Sequence, residues 1–199
     1  MKQAVTTLGR GCALALGLSA CGGELDAATP VSDEPLPAGC QATARAHPSE
    51  GQAHVDACTK VTYGTNPPSS GSHYPVWAAS KAYDAPIPQG FIVHALEHGA
   101  VAVQYRPADV DAATRAALSA WVSTLPLDPT CGDARRVLIA PNPDLDAPFA
   151  AAAWQTTLTS TCFHGPTFAR FYRDHVGRAP EDICAGGSDV SNAAPGCGK

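Results

Sequence analysis

The chain is poor in several residue types and patterns, and each shortage removes a class of function. Among its 199 residues Met1 is the one methionine, so a thioether-rich carrier site for Cu(I) is excluded. No two cysteines are spaced C-x-x-C, which argues against a thiol–disulfide oxidoreductase. No G-x-S-x-G occurs, so the serine nucleophile of that hydrolase class has no place. Charged residues are only 16% of the chain and lean acidic, 18 Asp+Glu against 13 Lys+Arg. That balance disfavours nucleic acid and a basic membrane-binding patch. After the first twenty residues no apolar run is long enough to span a bilayer.

The first twenty residues read as a targeting segment. Lys2 and Arg10 give a positive start, and a short apolar stretch from Cys12 ends in small residues at Ala20. Leu18-Ser19-Ala20-Cys21 resembles the bacterial lipobox. The resemblance implies cleavage before Cys21, lipid on Cys21 and anchorage by those acyl chains. Gly22 in place of Asp favours the outer membrane, with the protein facing the periplasm. Losing residues 1–20 leaves 11 basic and 18 acidic residues, a net charge of −7.

Residues 21–52 lack apolar periodicity and read as a flexible tether. Residues 53–184 carry the globular domain, and 185–199 a loose tail. Of the 8 cysteines, Cys12 leaves with the signal and Cys21 takes lipid. Cys40, Cys58, Cys131, Cys162, Cys184 and Cys197 remain, an even number suited to disulfides in an exported domain. Short loops favour Cys40–Cys58, Cys131–Cys162 and Cys184–Cys197, although the sequence does not choose among the possible pairings.

Within the domain, HVDACTKVTY near its start reads as a strand. Thr65 to Pro75 is a loop, because Pro67 and Pro68 lack amide donors. Trp77 to Gln89 is irregular. Pro107 opens a helix whose apolar stripe runs through Leu118 and Trp121 to Leu125. RRVLIA (Arg135 to Ala140) is a buried strand, Phe149 to Thr159 another, and Pro166 opens a second helix through about Val176. The reading is a single α+β domain: a mixed sheet with two main helices on one face, stapled by disulfides.

The chemistry concentrates in FIVHALEHGAVAVQYR, Phe91 to Arg106. His94, Glu97 and His98 fall within five residues of an otherwise apolar run. On a helix His94 and His98 share a face about 6 Å apart, with Glu97 beside them. On a strand the two histidines would be about 13 Å apart, too far for one ion. A shared metal therefore requires a helical turn, which Gly99 would close before the strand VAVQY. His73, in TNPPSSGSHYP, would reach over from the loop. His73, His94, His98 and Glu97 are the candidate ligands, with His54 in reserve. Imidazoles in this number suit Cu(II) or Zn(II).

The motifs TNPPSSGSHYP (Thr65 to Pro75), VHALEHGAVAVQY (Val93 to Tyr105), RRVLIAP (Arg135 to Pro141) and FARFYRDHVGRAPE (Phe168 to Glu181) resemble the bacterial domain-of-unknown-function family 3105. The resemblance implies an exported or membrane-anchored protein and brings no activity with it. The residues it carries over are His73, His94, Glu97 and His98.

Three functions follow. The first is an envelope lipoprotein that binds copper or zinc. The second is a zinc-dependent hydrolase, because H-x-x-E-H has the inverted zincin form with Glu97 as the catalytic base. Gly99 follows too soon for the long helix that motif needs, and Glu181 is the one acidic candidate for a distal ligand. The third is a non-catalytic interaction module with structural histidines. There Tyr74, Trp77 and Tyr83 would form an aromatic surface, or else pack beneath the proline-bearing loop. His164 and His175 carry no paired motif and fit helix ends.

Overall fold

Alternation in VAVQY and VLIAP, and small residues in FAAAA, build a sheet buried on both faces. A computed structural model describes residues 30–193 apart from Cys58 and Asp133. Five strands form one sheet: β1 (Ala42–Ala46), β2 (Val101–Tyr105), β3 (Val137–Pro141), β4 (Phe149–Ala153) and β5 (Thr156–Ser160). Their spatial order is β1-β5-β4-β2-β3. β2 and β3 run parallel and the other neighbours antiparallel, so the sheet is mixed. Three α-helices accompany it: α1 (Gln89–Glu97), α2 (Ala112–Val122) and α3 (Gly165–His175). The protein is an α+β fold stapled by disulfides.

Period-2 alternation sorts the strand residues between two cores. Val101, Val103, Val137, Ile139 and Leu158 face α2 and α3, where Leu118, Trp121, Phe168, Phe171 and Tyr172 cover them. Ala102, Leu138, Ala140 and Ala152 face the other way, toward Ile92, Val93 and Leu96 of α1 and toward Tyr74 and Tyr83. The helices thus lie on both faces, not one. The reason is α1: read from sequence as one turn ahead of a strand, it is a nine-residue helix whose residues Gly90 to Glu97 are all buried. Its two ends depend on glycine. At Gly90 a Cβ would stand 2.8 Å from the Tyr74 ring, and Gly99 takes φ +88° to turn the chain into β2.

Other boundaries shift for identifiable reasons. HVDACTKVTY forms no strand among its described residues; it contributes a single bridge, His54 to His73. Phe149 to Thr159 is two strands, because Gln155 at φ 57° reverses the chain between β4 and β5. The expected tether yields β1, which pairs with β5 at the sheet edge. The expected loose tail docks as far as it is described: Ser188 exchanges backbone hydrogen bonds with Trp77 and Ala79, Lys81 pairs with Asp189, and Val190 is buried.

The disulfides correct the short-loop pairings. Cys40 bonds Cys162 across 122 residues, and Cys131 bonds Cys184 across 53. The sheet explains the first bond. Ala42 is registered with Ser160, so the chain two residues before β1 meets the chain two residues after β5. Cys58 and Cys197 lie outside the described residues, as do the signal segment, Cys21 and the tether as far as residue 29. No described helix is long and apolar enough to cross a membrane.

Candidate metal centre

Three polar side chains, His94, Glu97 and His98, sit where the apolar pattern of α1 would otherwise continue, and His73 reaches them from the preceding loop. His73, His94, Glu97 and His98 are each at most 5% exposed. Buried polar atoms need partners, and these have some but not all of theirs.

The loop holding His73 is built by backbone pairing. Gly71 N–H donates to Gly51 O, His73 N–H to Ala53 O, and Val55 N–H to His73 O. That short parallel pairing lays His54 beside His73, with ring centroids 4.8 Å apart. The His73 ring is then fixed by its own neighbour, Nδ1 lying 2.9 Å from Gly71 O. A carbonyl only accepts, so Nδ1 carries the hydrogen and Nε2 is a bare lone pair in the neutral ring. His94 repeats the device from α1, with Nδ1 2.5 Å from Tyr74 O. Both imidazoles therefore have a set tautomer, the arrangement that backbone carbonyls impose on metal-ligating histidines.

The Nε2 atoms face the other members of the buried cluster. His73 Nε2 and Glu97 Oε2 are 2.9 Å apart, close enough for charge contact but without hydrogen-bond alignment. Glu97 Oε1 is likewise buried and unpartnered. His94 Nε2 lies 3.1 Å from His98 Nε2, which lies 3.1 Å from Glu181 Oε2. His98 Nε2 has at most one hydrogen in the neutral ring and faces two acceptors, while its Nδ1 has no partner at all. With the hydrogen on Nε2, His98 can donate to His94 Nε2 or to Glu181 but not fully to both, and with it on Nδ1 the two Nε2 lone pairs face each other. The indole of Trp77 covers this corner, 4.3 Å from the His98 ring and 5.2 Å from that of His94.

Burial sets the protonation states. It pushes the His94 pKa down to about 4 against the pull of Tyr74 O, and the neighbouring imidazoles add to the depression. It lowers His98 as well, with the Glu181 carboxylate opposing. It raises the Glu97 carboxyl, with His73 opposing and Glu181 reinforcing. Neutral imidazoles with free Nε2 atoms are the form a metal needs.

The ligand-capable atoms of His54, His73, His94 and Glu97 all lie within 4.8 Å of one another, and so do those of Glu97, His98 and Glu181. The structure brings His73, His94 and Glu97 together and sets His54, held in reserve, among them. His98 separates from His73 and His54, and stands with Glu181 instead. The first group could hold a divalent ion, which would take up the unpartnered Nε2 of His73 and a Glu97 oxygen once small side-chain shifts brought the donors to about 4 Å from one another.

Sequence reasoning named Glu181 only as a distal zincin ligand. Its actual placement depends on contacts with no local sequence signal. Glu181 N–H donates to Glu97 O, and Gly177 N–H to Gly99 O. Arg136 bonds His98 O, Ile183 O, Asp182 and Asp128, clamping the end of α1 to residues 182–183. Burial works against the Asp128 charge, but hydrogen bonds led by Arg136 outweigh it and hold that carboxyl low. The Cys131–Cys184 bond closes the same segment. Tyr74 and Tyr83 are core residues, and His164 and His175 sit at the two ends of α3.

The zincin reading changes in detail. Both of its histidines would hold one ion with Glu97 free as base, yet Glu97 stands among the ligand atoms, and His98 lies outside the group containing His94. Neither a curated protein nor a solved structure matches the chain. The family described as "Protein of unknown function (DUF3105)" matches residues 54–186, a span that holds every residue of both groups, and the chain belongs to that family.

Proposed function

We propose that the protein is a bacterial envelope lipoprotein that binds a divalent transition metal, Zn(II) or Cu(II), through His54, His73, His94 and Glu97. One observation carries the reading: the buried imidazoles of His73 and His94 are locked at Nδ1 by backbone carbonyls, and the buried Nε2 of His73 and Oε1 of Glu97 have no hydrogen-bonded partner. The donor set of imidazoles and carboxylate suits these two metals. Placement in the envelope draws support from the lipobox-like Cys21 and from the Cys40–Cys162 and Cys131–Cys184 bonds, which persist in oxidising compartments.

The test is metal analysis of the full chain, purified without a polyhistidine tag. Stoichiometric zinc or copper, lost in His73→Ala/His94→Ala, supports the reading. Binding no tighter than about 10 μM for both ions overturns it and leaves the histidines as structural groups. Mass analysis of the mature N-terminus tests the anchor separately: diacyl or triacyl lipid on Cys21 supports it, and an unmodified Cys21 in membrane fractions overturns it.

A further inference from the structure

The two ligand groups meet at one residue. Glu97 belongs to both, yet His98 is not within 4.8 Å of every member of the first group. Donors on one ion lie about 2 Å from it, so two of them cannot be much more than 4 Å apart. A single ion therefore cannot take His54, His73, His94, Glu97, His98 and Glu181 together.

The second group has the marks of a site in its own right. Its imidazole is buried, and its Nε2 faces the Glu181 carboxylate and the His94 lone pair with one hydrogen to share. Glu97 has one oxygen turned to His73, while the other is buried and unpartnered. A carboxylate so divided is suited to bridging. The Glu181 side chain is 42% exposed, and a cavity of about 90 Å³ borders His98, lined also by Trp77, Arg136 and Cys184. Water has access to whatever this corner holds.

We propose that Glu97 bridges two divalent metal ions, the first held by His54, His73 and His94 and the second by His98 and Glu181. This rests on the metal-centre reading. The second ion has one imidazole and two carboxylates, one of them half-exposed. It is the weaker and more exchangeable of the two, with positions left for water or for an oxygen-donor ligand.

Chelator-treated full chain is titrated with Zn(II) and separately with Cu(II), reading bound ions per chain and, for copper, the spin signal. The expected result is two ions per wild-type chain and a copper signal weakened by coupling between close spins. Glu181→Gln should bind one ion, keep first-site affinity within about threefold, and show an uncoupled one-spin signal. One ion in the wild type, with no change in Glu181→Gln, overturns the bridge and leaves the mononuclear centre standing. Two ions in both proteins also overturn it, because the second ion then lies elsewhere. No ion in the wild type overturns both readings. Glu181→Gln is tested for folding by a metal-free melt. If that melt collapses, Glu181→Asp, which keeps the charge, must restore two ions, and failure to do so counts against the bridge.

Discussion

The depressed pKa of His94 makes the metal-free protein acid-sensitive in a defined window. The unfolded ring takes up a proton at 6.5 and the folded ring only at about 4. Above pH 6.5 neither form is charged, and the fold has its full stability. As pH falls the unfolded chain gains a proton that the folded chain refuses, so stability drops until both are protonated below about 4. The gap is about 2.5 pH units, on the order of 3 kcal/mol at 1.36 kcal/mol per unit. His98 acts in the same direction. Glu97 acts oppositely: its raised carboxyl holds a proton better when folded, which favours the fold as pH falls. Wild-type stability alone therefore mixes signs. The clean quantity is the difference from His94→Asn, which retains a side-chain donor near Tyr74 O and has no titrating ring. Chelator-treated samples unfolded in urea at pH 7.5, 5.5 and 4 give that difference. It should shrink by about 3 kcal/mol across the series, with most of the loss between pH 6.5 and 4. A pH-independent difference would refute the claim that burial holds this ring neutral, and with it the claim that a ligand atom stands ready for metal.

Three further outcomes follow. Saturating Zn(II) at about 100 times Kd should stabilise the chain by about 2.7 kcal/mol, read as a chelator-reversible rise in Tm, and His73→Ala should abolish the rise. Gly99→Ala should cost about 1–3 kcal/mol in urea unfolding, since φ is +88° and the added Cβ would stand 2.8 Å from the Arg136 guanidinium. Asp128→Ala should cost about 3–5 kcal/mol by leaving the Arg136 charge buried without its innermost partner, and Asp182→Ala clearly less, because Asp182 is partly exposed.

The legible parts of the fold were those decided locally. VAVQY and RRVLIA declare strands by alternation and β-branching, and the Leu118–Trp121 spacing declares α2, although Pro107 opens a separate 3-10 turn and Leu125 lies beyond the helix end. A metal shared by His94 and His98 would require a helical turn there, closed by Gly99; α1 supplies the turn and Gly99 takes φ +88°. What stayed hidden was decided at a distance. Nothing near Ala42 announces an edge strand, because its side chains are small and mostly exposed; its pairing with β5 and the Cys40–Cys162 bond come from opposite ends of the chain. His54 stood only in reserve, and the bridge to His73 is what sets it beside the other ligand candidates. Glu181 belongs to the APE that closes a helical motif, and a clamp by Arg136, fixed in β3's approach, sets its place. His94 and His98 were expected on one ion because helix geometry puts them together. The ring contacts beyond the helix divide them between two groups, a distinction that spacing alone does not contain.

The strongest argument for a bound ligand is the poor fit of α1 to its own surroundings. A helix buried on all sides is ordinarily apolar throughout, and Phe91, Ile92, Val93, Ala95 and Leu96 follow that rule. Three of its last positions break it with groups that burial penalises: two histidines driven toward neutrality and a glutamate whose charge is disfavoured. Where a buried polar cluster is structural, its members satisfy one another. Here they do so in part. The Nδ1 atoms of His73 and His94 are matched to carbonyls and the Nε2 atoms of His94 and His98 to each other, while His73 Nε2, Glu97 Oε1 and His98 Nδ1 have no partner. Apolar residues of similar volume would give a more stable core at these positions. Rings held from behind, with His73 Nε2 and Glu97 Oε1 left without partners, are what the proposed metal ion would complete.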